Sequence, residues 1–239
     1  WITRPAVGLV VYLVVLCMYP QYLAVSIATV DWTTARALGL ILLLRSVYVP
    51  AKASTYRLVW MDVFILADFF GDFVAHLLTE SASLVVVREG GQFFDWVIPY
   101  FCVRYSIRDR EDIFLFFRWI TYLAVPLAFV GLYQTFTGVN PYAFLREFSP
   151  WGIGEQEIDI RRGFYRADGP FANKIAFGLY FSLAMALHAG GLFARRIRPH
   201  IWLTHAGIIL AGLMSSMSSA PLFALVASAG WIAVRPLRL

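Results

Sequence analysis

Apolar residues along this chain come in blocks of about twenty, separated by short polar or charged breaks. The first block is Pro5–Ala28, with Pro20 as a kink point because proline removes a helical hydrogen bond. A turn at Asp31-Trp32-Thr33 leads to Thr34–Val49, and the loop Pro50–Tyr56 with Lys52, followed by Arg57, leads to Leu58–Leu78. Glu80–Gln92 reads as a mixed loop carrying Gly90-Gly91. Phe93–Val103 is short for a span, and its helix is expected to start further back, near Leu84, as a broken or interfacial segment. After the charged stretch Arg104–Asp112 come Ile113–Phe136, the long polar stretch Thr137–Asn173, and Lys174–Phe193. A basic turn, Arg195-Arg196-Ile197-Arg198, precedes Ile201–Leu213 and Pro221–Val234. A serine-rich turn between those last two fits better than one very long helix.

This pattern predicts an all-α, polytopic transmembrane helical bundle of about eight spans, forming a single integral membrane domain over 1–239 with one long external loop, 137–173. Blocks of this length match a hydrocarbon core of about 30 Å. Helices also satisfy their backbone groups within one segment, as lipid demands. Composition strengthens the picture: the chain is 60% hydrophobic with a mean hydropathy of +0.68, whereas a water-soluble domain sits nearer half apolar.

The net charge of +5 does not point to nucleic acid, because the basic residues cluster in the breaks between apolar blocks. Of the 20 Lys and Arg residues, Arg118 falls inside a span. Arg36, Arg88, Arg146, Arg161, Arg162, Arg166 and Lys174 fall to one side of an eight-span chain, leaving twelve on the other. By the positive-inside rule the N-terminus is then cytoplasmic and the 137–173 loop external. Cys17 and Cys102 lie in different apolar segments and read as small buried hydrophobes. The chain begins at Trp1 without a signal-peptide pattern and ends soon after a span, so one or both ends are expected to belong to a longer protein.

Two places could carry chemistry. The third span holds Asp62, Asp68, Asp72 and His76, which at about 100° per residue share about a third of the helix circumference. Ionisable groups are costly in lipid, so this intramembrane polar cluster should face the bundle or a wet cavity, as a proton or cation relay, as a cavity wall, or as interhelical hydrogen bonds. The external loop holds Arg146, Arg161, Arg162 and Arg166 among aromatic residues (Tyr142, Phe144, Phe148, Trp151, Phe164, Tyr165, Phe171), with Glu147, Glu155, Glu157, Asp159 and Asp168. The guanidinium fork suits phosphate and carboxylate, and rings suit sugar faces or a membrane interface. Together they describe a site for an anionic, amphipathic ligand such as a lipid-linked diphosphate. The competing description is a solvated loop whose arginines and acids pair with each other. The serine run 215–219 reads as close helix packing and capping. No nucleotide-binding or zinc pattern appears.

Gly131-Leu-Tyr-Gln-Thr-Phe-Thr-Gly-Val-Asn-Pro141 opens the loop and Arg166-Ala-Asp-Gly-Pro-Phe-Ala-Asn173 closes it. This pairing resembles the O-antigen ligase and polymerase family of bacterial membrane glycosyltransferases, including exopolysaccharide polymerases. Ser218-Ser219-Ala220-Pro221 resembles the family's serine-rich turn two spans later, without the arginine many members carry there. Arg162 and Gly178 also match an Arg-x15-Gly spacing of some polymerases.

The resemblance implies a bundle like the C-type glycosyltransferases in the bacterial inner membrane. It implies an undecaprenyl-diphosphate-linked saccharide donor, a glycan or lipid acceptor at the periplasmic face, and neither metal nor other cofactor. Lipopolysaccharide or exopolysaccharide biosynthesis is the setting, with membrane lipids and polysaccharide-assembly proteins as partners and no nucleic acid. It makes Arg166 the leading catalytic residue. Arg161 and Arg162, with Asn173 and Lys174, are expected to bind the diphosphate or glycan. The family's second periplasmic loop with its histidine is expected further toward the C-terminus than this sequence reaches, so a base drawn from this segment alone would be Asp168 or a loop Glu. Other readings are an ion-coupled transporter using Asp62, Asp68 and Asp72, and a non-catalytic subunit of a polysaccharide export system.

Overall fold

The computed structural model describes residues 4–20, 22–27, 30–48, 58–149, 159–193 and 198–234. Lys52, Arg57, Trp151, Glu155, Glu157, Arg195, Arg196, Arg235 and Arg238 lie outside the described residues. The described chain is mainly helical: α1 Pro5–Met18, α2 Thr34–Tyr48, α3 Trp60–Leu77, α4 Ala82–Gln92, α5 Ile98–Ser106, α6 Arg110–Thr137, α7 Lys174–Phe193, α8 Pro199–Ser215 and α9 Ser219–Val234. Two small antiparallel hairpins accompany the helices, β1 Ala24–Ile27 with β2 Val30–Thr33 and β3 Ile160–Arg161 with β4 Phe164–Tyr165.

Helix length overturns the predicted eight-span bundle. Among the described residues one helix, α6, is long and apolar enough to cross a membrane. At about 1.5 Å per residue, α1 with 14 residues, α2 with 15 and α9 with 16 fall short of a core of about 30 Å. Helix α7 has 20 residues, of which the described apolar part is Lys174–Gly190, and α3 interrupts its 18 residues with three aspartates.

The physical reason is that an apolar run is not the same as a helical run. Within Pro5–Ala28 the helix stops at Met18, ahead of Pro20, and the chain turns into the β1–β2 hairpin. Val25, Ile27 and Val30 favour that extended backbone. Phe93–Val103 divides into a π-helical turn, Phe93–Val97, and α5, continuing from α4. The polytopic, C-type-like bundle therefore does not hold, and the two-sided sorting of basic loops that depended on its span count goes with it.

The chain divides into two compact units, Trp1–Val15 with Ala24–Asp112, and Leu16–Leu23 with Ile113–Leu239. In the first, α2 packs on α5, and α3 on α4. Arg36 grips both oxygens of Asp95 on the π-helical turn, at 2.8 and 2.6 Å, and donates to the Asp31 carbonyl. Gly39 lets α2 approach closely: a Cβ there would lie 3.3 Å from both Ile98 and Tyr12.

In the second unit α7 packs against α8 and α9 around the fully buried Phe177 and Phe181, whose rings meet edge-on at 5.0 Å. A Cβ at Gly178 would lie 2.5 Å from Pro221 and from the Ser216 hydroxyl, so only glycine admits this contact with α9. Ser182 donates to the Pro221 carbonyl at 2.6 Å and Tyr180 to the Ile120 carbonyl at 2.7 Å. This packing presses the serine turn between α8 and α9 against the start of α7 and the end of α6, where the long loop begins and ends.

Candidate functional site

The segment 166–171 has no regular structure, so each backbone donor must find a partner elsewhere. The Arg166 N–H donates to the Asp159 carbonyl at 2.9 Å and the Ala167 N–H to the Ser215 carbonyl at 3.0 Å. The N–H groups of Asp168 and Gly169 both donate to Gln134 Oε1, at 3.2 and 3.0 Å. Phe171 closes a turn onto the Asp168 carbonyl. The segment is thus fixed between the end of α6 and the serine turn, and Ala167 between its two charged neighbours is fully buried.

Asp168 is buried and its carboxylate is occupied. Oδ1 accepts from Gln134 Nε2 and Asn140 Nδ2, both at 2.8 Å, and Oδ2 accepts from Arg146 at 3.3 Å. Asn140 Nδ2 also donates to the Gly169 carbonyl, and its Oδ1 accepts the Tyr142 N–H. Arg146 lies 5.5 Å from the Tyr22 ring centroid, and its Nε is buried without a partner. Tyr22 in turn donates to the Tyr142 carbonyl at 2.8 Å.

Arg166 sits on the other flank, half-buried. It donates to Asp159 at 2.7 Å, to the Ser218 hydroxyl at 2.7 Å and to the Ser216 carbonyl at 3.3 Å. Lys174 Nζ reaches the same Asp159 oxygen at 2.9 Å. The Lys174 hydrogen bond first, then the charges of Lys174 and Arg166, hold the Asp159 carboxyl below the usual carboxylate range. Asn173 caps α7, its Oδ1 accepting the Ala176 N–H at 2.8 Å.

Arg161 and Arg162 belong to the β3–β4 hairpin. Its two-residue turn, Arg162-Gly163, has φ of 54° and 82°, the paired positive values that suit a type I′ hairpin. Arg161 donates to the Met217 carbonyl at 2.8 Å, and Met217 itself holds a φ of 48°. Both arginines line a small cleft of about 80 Å³ with Leu213, Met214, Met217, Ser218, Ser219 and Leu222. A second, larger cleft of about 430 Å³ lies among Tyr133, Val139, Asn140, Pro141, Ala143 and Phe144.

Arg161, Arg166 and Lys174 are therefore brought together around Asp159 and the serine turn, with Arg162 at the hairpin tip. Asp168 lies two residues from Arg166 but belongs to a separate polar set. Its partners Gln134 and Asn140, its pairing with Arg146, and the contacts of Arg166 with Ser216 and Ser218 were not singled out from sequence. The signal was there for part of it: Gln134 and Asn140 both fall in the loop-opening motif, and Ser218 in the serine turn.

The polar residues of α3 differ in burial and partners. Asp62 is fully buried, accepting from Tyr100 at 2.7 Å and Arg104 at 3.4 Å, and it caps the helix by accepting the Val59 N–H at 2.9 Å. Asp68 and Asp72 are exposed. His76 Nδ1 lies 2.7 Å from Glu89 of α4. Among the described residues no group of three His, Cys, Asp or Glu side chains could hold a metal ion.

No family model, curated protein or solved structure matches this chain.

Proposed function

We propose that the chain is a bacterial inner-membrane glycosyltransferase of the O-antigen ligase and polymerase type. It would transfer or polymerise glycan from an undecaprenyl-diphosphate-linked donor at the periplasmic face. One observation carries this reading: three segments distant in sequence, those that bear the resemblance, converge on Arg166-Ala167-Asp168. Gln134 and Asn140 come from the loop-opening motif, Ser218 from the serine turn, and Arg166 and Asp168 from the loop-closing motif.

The charge balance supports an anionic ligand. Asp159 is paired with two cations, Arg166 and Lys174, and two more, Arg161 and Arg162, line the cleft beside the serine turn that Arg166 also contacts. The first turn of α7 adds its partial positive charge. Apolar side chains, Leu213, Met214 and Leu222, line the neighbouring cleft, a combination that suits a charged head with an apolar tail. In this reading Arg166 stabilises charge developing on the departing diphosphate. Asp168, filled by three donors, fixes the segment that presents Arg166. Helix α6 has the length and composition to hold such a site at a membrane.

The test is Arg166→Ala and Arg166→Lys in cells carrying the full gene, following surface polysaccharide and lipid-linked precursor. Loss of polymer with precursor accumulating, partly restored by lysine, is expected. Unchanged polymer length and precursor level in Arg166→Ala would sink the reading.

A further inference from the structure

Glu89 is 1% exposed, on α4, and the proposed glycan site makes no use of it. One of its oxygens meets His76 Nδ1 of α3 at 2.7 Å; the other, Oε2, is buried with no partner. His76 keeps 22% of its side chain exposed, so the imidazole is the outer member of the pair and the carboxyl the inner one. Asp72 and Asp68 precede His76 by four and eight residues, which places all three along one strip of α3. Both aspartates are exposed.

The charged groups on the elements packed against this hairpin are already engaged. Arg88 of α4 pairs with Glu80 at 2.9 Å. On the neighbouring elements Arg36 of α2 pairs with Asp95 of the π-helical turn, and Asp31 of β2 accepts from Ser26. None of them reaches Glu89 Oε2.

A buried carboxylate normally has donors at both oxygens, because an ionised oxygen without one is a costly thing to bury. The bare Oε2 is tolerable when it is the carbonyl of a neutral acid and Oε1 carries the hydrogen. The bond between Nδ1 and Oε1 needs one hydrogen in any case, and the imidazole can accept another at Nε2. We propose that His76 and Glu89 form a one-proton carrier, loaded from outside along Asp68 and Asp72.

The step balances. A proton from solvent binds Nε2 while the Nδ1 hydrogen passes to Glu89 Oε1. One N–H bond forms, one N–H bond breaks and one O–H bond forms. The charge of the pair rises by one, and His76 changes tautomer without becoming a lasting imidazolium. No third metal-binding side chain joins the pair among the described residues. This site lies within the first unit and is independent of the glycan reading.

The experiment uses the full chain, purified in detergent with 15N-labelled histidine. The four histidines are separated by His76→Gln. As the pair takes up its proton, His76 is expected to switch from the Nδ1-protonated to the Nε2-protonated tautomer. A carboxylic-acid infrared band should grow in step with that switch and be lost in Glu89→Gln. Asp72→Asn should slow exchange of the imidazole proton with solvent several-fold. Should His76 become a doubly protonated imidazolium beside an ionised Glu89, the pair is a fixed ion pair and the proposal fails. That result is read on the unsubstituted protein, so it stands even where Glu89→Gln does not fold. Unaltered exchange in Asp72→Asn would overturn the route along the strip.

Discussion

Replacing Asp168 separates a structural carboxylate from a chemical one. Asp168→Ala removes the acceptor of three donors, and the cost can be built bond by bond. Asn140 keeps the Gly169 carbonyl, and Gln134 Oε1 keeps both backbone N–H groups, so neither amide is wholly stranded. Gln134 Nε2 loses its acceptor in a fully buried position, about 1–3 kcal/mol. Arg146, with 16% of its side chain exposed, loses its carboxylate. Breaking a buried pair costs about 3–5 kcal/mol, but the 3.3 Å contact is long and Arg146 retains the Tyr22 ring, which points to the lower end. Because the two losses share one network they do not sum, and about 3–4 kcal/mol is expected in all. Asp168→Asn keeps the shape and one acceptor but turns an N–H toward Arg146, so about 2–3 kcal/mol follows.

The direct assay is amide hydrogen exchange at Arg166, Ala167 and Gly169. A loss of about 3 kcal/mol accelerates exchange by about two orders of magnitude if the segment opens locally. Equilibrium unfolding in detergent checks the global part. Two variants that each stay within about 1 kcal/mol of the unsubstituted protein, with exchange unaltered, would refute the reasoning. If Asp168→Asn also stopped polysaccharide formation in that case, Asp168 would belong to the chemistry rather than to the support.

Two further outcomes follow from contacts nearby. Gly178→Ala drives a methyl into Pro221 and Ser216, both on or beside the α8–α9 turn, and should destabilise the second unit by about 1–3 kcal/mol; an unfolding midpoint equal to that of the unsubstituted protein would show that α9 can retreat without cost. Asp159 has a folded pKa below its unfolded value of about 3.9. Its contribution is therefore fully present above about pH 4 and is lost as pH falls through the lower folded value. The Arg166 guanidinium resonances should stay dispersed from neutrality down to about pH 5 and collapse only below about pH 4, and Asp159→Asn should abolish that acid transition.

The boundaries that the sequence makes legible are those written in local chemistry. Lys174–Phe193 is both the apolar block and helix α7, because Asn173 caps its start. The serine turn is equally visible, and α8 and α9 end and begin beside it. Hydropathy misleads where it measures apolar length in place of helical length. Pro5–Ala28 is apolar throughout, yet Pro20 and the β-branched residues beyond it convert its second half into a hairpin. Helical periodicity places Asp62 close to His76 around α3 but does not name their partners: Asp62 is spent on capping the helix and on Tyr100 of α5, while His76 is turned to α4.

The polar partners were not legible, because a side chain's sequence position does not say which distant group will satisfy it. Arg166 and Asp168 illustrate this. Two residues apart, they could have paired with other charges of their own loop, as the bland reading of that loop expects. Arg166 does pair locally, with Asp159. Asp168 pairs with Arg146 of the same loop and also draws in Gln134 and Asn140, whose amides would otherwise be buried without a carboxylate to receive them. The consequence is an ordering of roles. The acid is held by the end of α6, the arginine by the serine turn, and Ala167 between them is too buried to let either move alone. A ligand that replaced Asp159 as the partner of Arg166 would therefore meet an arginine already aimed, at little further cost in ordering.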